Sequence, residues 1–447
     1  MTELVDRSAL EAQATRLVDA ARKAGADAAD AVAIRAVNQV VSVRLGKTEK
    51  VEHSESEDFG LRVFVGDRHA TVSATLGADV TELAERAVAM ARVAPPDRYA
   101  GLADADRLTR SFPDLELLDE AVTDTEAVVA RAVATEDAAR AVPGVTNSGG
   151  ASAYWSRAGV ALVTSHGFLG SYETSRHGHS VSVIAGEGTG MERDWEYASR
   201  SHLADLETPE WVGQRAGERA VKRLNPRKID TQTAAIVYDP RVSTGILGAL
   251  VGAISGSAIA RKTSFLKDKL GERIFAPGIR ITDDPKRKRS SGSHPFDGEG
   301  LAPETMDLVV DGVLQTWLLD SATARELGLT SNARASRGLG NPSPSATNVL
   351  FHPGEKSPAE LMKDLGEGLY VTDFIGHGAN LVTGDYSRGA SGFWIENGEI
   401  AYPVAEITVA GKLQDMFARL VPANDIEFRS AFVAPTIAIE GLTIAGR

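Results

Sequence analysis

The chain has 447 residues, 43% hydrophobic and 24% charged, which is the balance of a folded globular protein with more than one core. Its formal net charge is -13, from 48 Lys and Arg against 61 Asp and Glu, which argues against a broad basic face for gripping nucleic-acid phosphates. It has no cysteine, which excludes disulfides, thiolate metal sites and a cysteine nucleophile.

The first residues, MTELVDRSALEAQ, lack the basic start and apolar core of a secretory signal. No run reaches the roughly 18 apolar residues that span a bilayer, so a cytoplasmic protein without membrane contact is expected. A helix is expected over residues 8–24, with Ser8 and Glu11 as a capping box and Leu10, Ala14, Leu17, Val18 and Ala21 on one face. Strand patterns follow at 30–35, 39–45, 60–65 and 69–74, the last two joined through Gly66-Asp67 as a hairpin. Helices are expected at 79–93, before Pro95-Pro96, and at 123–142, before Pro143-Gly144. Strands at 159–165, 170–176 and 179–185 come next, then a helix opened by Thr208-Pro209 and closed at Asn225-Pro226.

The first domain is expected to span 1–228 and the second 229–447. Residues 233–238 read as a short buried strand. The stretch 245–270, GILGALVGAISGSAIARKTSFLKDKL, has a helical period and little charge over its first half. Its small residues Gly245, Gly248, Ala249, Gly252, Ala253 and Gly256 leave room for close packing. Asp311-Gly312 and Asn397-Gly398 are the strongest hairpin signals in the chain. The fold class expected is α+β: a mixed α/β N-terminal domain followed by a mostly antiparallel, β-rich C-terminal domain.

Several constellations invite a chemical reading. His177 and His179 sit two apart on one strand face, a spacing compatible with a metal, but no third ligand is near in sequence and polar residues on a wet sheet face account for the pair better. Gly186-Glu-Gly-Thr-Gly190 lacks the lysine of a phosphate loop and reads as a turn. Lys286-Arg-Lys-Arg289 is a basic run that could attract an acidic partner or lie solvated in a loop. His377, Asp385 and Ser387 or Ser391 can be assembled on paper into a nucleophilic triad, without the elbow motif that usually carries one. A conformational or interface role suits that segment better.

The segments SVRLGKTEKVEHSESEDFGLRVFVG (42–66), ARKTSFLKDKLGERIF (260–275), SHPFDGEG (293–300), DGVLQTWLLDSATARELGL (311–329), VTGDYSRGASGFWIENGEIAYPVAEITVAGKL (382–413) and EGLTIAG (440–446) resemble the TldD/PmbA family over essentially the whole chain. In that family a TldD-type subunit carries an H-E-x-x-x-H zinc helix, and a PmbA or TldE type lacks it. The resemblance places Gly248, Ala249 and Ala253 at the His, Glu and His positions, and the thiolate ligand of the catalytic type has no counterpart here. It therefore implies no catalytic residue and no metal on this chain, with zinc in a TldD-type partner and peptides or unfolded proteins as substrate. His377, Asp385, Tyr386, Arg388 and Trp394 are the candidates for peptide or interface contact. The family's description as gyrase modulators gains nothing from the acidic charge. The alternatives left open are a homodimeric peptide-binding adaptor and an independent hydrolase.

Overall fold

The computed structural model describes residues 5–376 and 378–446. Helix α1 (Arg7–Lys23) buries the apolar face expected of it, but its cap is Asp6, whose carboxylate accepts from the Ala9 amide at 2.9 Å, not Ser8. Strands β1 (Ala28–Arg44), β2 (Lys47–Val65) and β3 (Arg68–Thr75) follow, then α2 (Val80–Val93), α3 (Thr125–Arg140), β4 (Val145–Thr164), β5 (Leu169–Ala185), β6 (Glu192–Arg200) and α4 (Pro209–Lys222). The six strands form one antiparallel sheet in the order β3-β2-β1-β4-β5-β6.

These strands are longer than periodicity suggests. The two runs expected at 30–35 and 39–45 are one strand, and the three expected between 159 and 185 are two. The first half of β2 escapes the pattern because residues 47–56 are exposed on both faces and show no apolar alternation. Strand β6 escapes it for the opposite reason. Its inward positions are Asp194 and Glu196, buried to 2% and 1% exposure, while Trp195 and Tyr197 face outward.

One face of this sheet carries all four helices. Ala29, Ala31 and Ala33 of β1 pack with α1 and α2, and Val37, Val41 and Val43 further along it pack with α3 and α4. The other face presents Val32, Leu162 and Phe168 to Phe296 from the second half of the chain. Phe112, Phe168 and Tyr172 surround the Phe296 ring at centroid distances of 5.4, 5.0 and 5.4 Å.

His177 and His179 are not on a wet face. They are 0% and 1% exposed, on the helix-covered side of β5. Burial pulls both rings down to about 4, helped by the nearby Arg131 charge and opposed for His177 by Asp119, 3.5 Å away. Both rings stay neutral in the folded chain across the window between an unfolded value of 6.5 and about 4. There only the unfolded chain takes up the protons, so stability falls as pH drops through it. By pH 5 the expected loss is about 2 kcal/mol per ring. The urea midpoint should drop between pH 7 and pH 5, and His177→Gln with His179→Gln should flatten that slope.

The second half opens with β7 (Gln232–Tyr238), α5 (Pro240–Ala253) and α6 (Gly256–Ala260). It continues through β8 (Ile281–Asp283), β9 (Met306–Val310), β10 (Val313–Leu314), α7 (Ser321–Leu327), β11 (Ala335–Ser336), β12 (Ser343–Pro344), β13 (Val349–Phe351) and α8 (Pro358–Leu365). It ends with β14 (Gly368–Ile375), β15 (Asp385–Glu396), β16 (Glu399–Lys412), α9 (Leu413–Arg419), β17 (Val421–Pro422) and β18 (Ile437–Ala445). The large sheet runs β16-β15-β14-β7-β18-β17, and a further β16–β18 pairing closes it into a barrel. Among the described strands of this sheet, only the β7–β14 pair is parallel. Both expected hairpins form, with φ of 47° and 77° at Asp311-Gly312 and 54° and 80° at Asn397-Gly398, the two left-handed residues that a type I′ turn requires. The fold is α+β. Among the described residues, no helix is long and apolar enough to cross a membrane.

The expected helix over 245–270 is corrected at both ends. It starts at Pro240, capped by Asp239, and stops at Ala253. The Gly256 amide then donates to the Leu318 carbonyl at 2.8 Å, where a Cβ on residue 256 would lie 2.7 Å from that oxygen. The close approach breaks the helical period that the small residues suggest.

Candidate functional site

Helix α5 buries Ile246, Leu247 and Leu250 in the main core of the second half. Its opposite face is a row of Gly245, Gly248 and Gly252. A Cβ at Gly248 would meet nothing within 4 Å, one at Gly245 would touch Arg388 at 3.4 Å, and one at Gly252 would press on Leu381. Ala249 is 8% exposed and Ala253 is fully buried. Positions 248 and 253 are therefore on different sides of the helix, as a five-residue step of roughly 500° dictates. None of the three residues offers a donor atom, so they do not fit a zinc ion. Among the described residues, no three His, Cys, Asp or Glu side chains converge as a metal site needs.

The first turn of α5 faces β6 across a groove of about 280 Å³ lined by Trp195, Tyr197, Asp239, Arg241, Tyr370 and Arg429 among others. A second pocket of about 240 Å³ shares Trp195, Arg241 and Thr244 with it and reaches Gly245, Phe374 and Arg388. The Asp239 carboxylate accepts from the Arg241 amide at 2.9 Å and from the Tyr370 hydroxyl at 2.8 Å. Arg241 in turn bonds Asp194 at 3.0 Å and lies 4.5 Å from the Trp195 ring centre.

Two buried carboxylates organise this wall. Asp194 pairs with Arg223 at 3.2 Å and with Arg241 at 3.0 Å. Glu196 pairs with Arg215, Arg219 and Arg429. Burial alone raises a carboxyl, but Arg429 and Arg219 hold Glu196 below its ordinary value. Arg215 and Arg219 on α4 and Arg223 at its C-cap are spaced by four, so one helical face meets β6. This network joins the first sheet, α4, α5 and the segment after β17. Sequence reading missed it. The signal was the alternation Asp194-Trp195-Glu196-Tyr197 set against arginines at every fourth position.

The network also closes the outer edge of β6. The Trp195 amide donates to Asp194 at 2.7 Å and the Tyr197 amide to Glu196 at 2.9 Å. The carbonyls of the same residues accept from Arg241 at 3.1 Å and Arg429 at 2.6 Å. That edge cannot take another strand at these positions. Strand β14 is different. It pairs with β7 only through Gly368–Val371, yet continues to Ile375 beside the groove. On that side no described strand covers residues 372–375, and the buried Thr372 hydroxyl has no partner.

The segment singled out around 385–394 is split between surface and core. Asp385 is exposed and engaged by Lys412 at 2.6 Å and Thr383 at 2.5 Å, which hold its carboxyl low. Tyr386 and Trp394 are 8% and 4% exposed and belong to the core, where burial pushes the Tyr386 phenol up to about 12. Arg388 donates to the Gly376 carbonyl at 3.1 Å and covers the Phe374 ring at 4.3 Å, at the rim of the smaller pocket. Ser391 is buried and accepts from Arg223 at 2.7 Å, and Ser387 is exposed. His377 lies outside the described residues. The structure thus brings Arg388 to the groove beside Gly245, and ties Asp385 to Lys412 instead of to either serine.

The comparisons with known proteins place this α+β fold among the metallopeptidase-like proteins. Residues 231–446 match the PmbA/TldA metallopeptidase C-terminal domain, 119–224 its central domain and 29–91 its domain 1. The chain is 39% identical to the metalloprotease PmbA of Escherichia coli O157:H7 over 442 residues, covering 98% of this chain and 96% of that one. It superposes on a Bacteroides thetaiotaomicron protein described as a candidate modulator of DNA gyrase with a TM-score of 0.90, at 27% identity, covering 98% and 99% of the two chains. TldE from Thermococcus kodakarensis shares the fold, with a TM-score of 0.85 at 21% identity over 97% and 99%. The chain belongs to the PmbA/TldD family.

Proposed function

We propose that this chain is the non-catalytic, TldE-like subunit of a heterodimeric zinc metallopeptidase, and that it forms part of the chamber in which extended or unfolded peptides are bound and processed. The observation that carries the reading is the absence of donor atoms at Gly248, Ala249 and Ala253 on a helix that still borders a groove. Zinc then belongs to a TldD-type partner, and this chain binds none. Residues 1–228 and 229–447 serve as its two domains. A peptide would add along residues 372–375 of β14, because the β6 edge is taken by its own side chains whereas β7 leaves this end of β14 without a described strand partner on that side. Backbone pairing of that kind recognises extended chains with little sequence preference.

The test is reconstitution. The purified chain should hold no stoichiometric zinc and leave a labelled unstructured peptide intact. An equimolar mixture with a TldD-type subunit should cleave it far faster than either chain alone. One tightly bound zinc per copy of this chain, or a mixture no faster than the partner by itself, would sink the reading.

A further inference from the structure

The groove continues past Arg429 and Ser430 into a third pocket of about 420 Å³, which those two residues also line. Its wall is basic in an acidic protein. Arg176, Arg200, Arg287, Lys288, Arg289 and Arg429 line it, and Asp205 is the one carboxylate among its described lining residues. Four of the six cations are already paired: Arg200 with Glu207, Lys288 with Glu116, Arg289 with Glu116 and Asp205, and Arg429 with Glu196.

Arg176 and Arg287 differ. Among the described residues Arg176 donates to the Ser291 carbonyl alone, at 3.1 Å. Arg287 donates to the Ser290 hydroxyl at 2.7 Å and to the carbonyls of Ser430 and Ala431 at 2.7 and 3.3 Å, and covers the Phe428 ring at 5.3 Å. Among the described residues neither forms an ion pair, although the charge of nearby Asp284 partly offsets the burial of Arg287. Burial pulls both guanidiniums below their ordinary value. Half-buried cations whose direct hydrogen bonds go to neutral oxygens gain from an anion, and guanidinium forks match a carboxylate in two-point geometry.

We propose that this basic end of the groove captures the α-carboxylate of an extended peptide, with Arg176 and Arg287 as its two holders. The inference rests on the peptide-chamber reading and adds a direction to it. The peptide C-terminus sits at Arg176 and Arg287, and the chain runs back past Trp195 and Tyr197 towards the glycine face of α5. The basic run at 286–289 thereby gains a role: Arg287 holds the ligand, and Lys288 and Arg289 brace the pocket through Glu116.

The test uses the full chain and an N-terminally fluorescein-labelled, ten-residue unstructured peptide, as free acid and as C-terminal amide. Fluorescence anisotropy should give a Kd roughly tenfold or more weaker for the amide, as expected for loss of a charge-assisted bond. Arg176→Gln should abolish most of that difference while leaving amide binding unchanged. Arg287→Gln should do the same, and Arg176→Gln remains decisive if the Arg287 variant misfolds. Equal affinity for acid and amide, or binding of neither, overturns the proposal. So does inorganic phosphate that binds tightly while acid and amide stay alike, since the pocket is then a phosphate site. If the reconstituted mixture is active but cleaves acid and amide peptides equally well, the subunit reading survives and this one does not. An inactive mixture with acid-selective binding gives the reverse.

Discussion

Ala253→His is expected to unfold the second half of the chain, whereas Gly248→His is expected to be tolerated. Ala253 is fully buried, and its carbonyl accepts from the Ser264 hydroxyl at 2.6 Å. An imidazole there must displace packed side chains and leave its ring nitrogens without partners. Overpacking and an unsatisfied buried polar group together cost about 3–5 kcal/mol, a large part of a typical folding stability. A side chain at residue 248 meets open space. Gly248→Ala should even stabilise the helix, by about 0.5–1 kcal/mol. Urea unfolding of the three variants checks the order. Equal stability of the Ala253 and Gly248 histidine variants would refute it. Writing His, Glu and His back into positions 248, 249 and 253 should therefore not recreate a zinc site in this chain.

Asp283→Ala is the second large effect expected. Asp283 and Arg334 form an ion pair at 2.6 Å with both side chains fully buried. The aspartate also accepts from the Thr347 amide at 2.9 Å and hydroxyl at 2.7 Å. Arg334 reaches the carbonyls of Asn332 and Glu304 at 3.0 and 2.6 Å. Removing the carboxylate strands a guanidinium in the core, which costs about 3–5 kcal/mol. Replacing both partners, with Asp283→Leu and Arg334→Met, should recover much of that loss, because no buried charge is left unpaired. Denaturant midpoints of the single and double variants separate the two cases. A double variant as unstable as the single one would mean that the hydrogen bonds to Thr347 and Glu304, and not the charge, hold this region.

The sequence is most legible where local chemistry and tertiary environment agree. The face of α1, the span of α2, the Thr208-Pro209 start of α4, and the Asp311-Gly312 and Asn397-Gly398 turns all follow from rules of period, capping and backbone sterics. Legibility fails where burial is polar. Strand β6 has carboxylates inside and aromatics outside, because α4 supplies arginines to meet them. His177 and His179 look like surface residues by type but lie under helices. At the candidate site, the three positions without ligands were readable from the resemblance, and the groove beside them was not. Its walls come from Trp195, Arg241, Tyr370 and Arg429, which converge only through the fold.

The closed barrel has a consequence for how the protein is made. In the first sheet, most neighbours are consecutive strands, so that unit can assemble while the rest of the chain is still on the ribosome. In the barrel, Tyr238 of β7 pairs with Ile437 of β18, and β18 also seals β16. The strand that opens the second half must wait, one side unpaired, until residues up to 445 have been synthesised. During that interval β7 and the apolar face of α5 would be exposed in a nascent chain whose first half is free to fold. That window, rather than the finished protein, is where a chaperone or a premature partner would find this chain most open to capture.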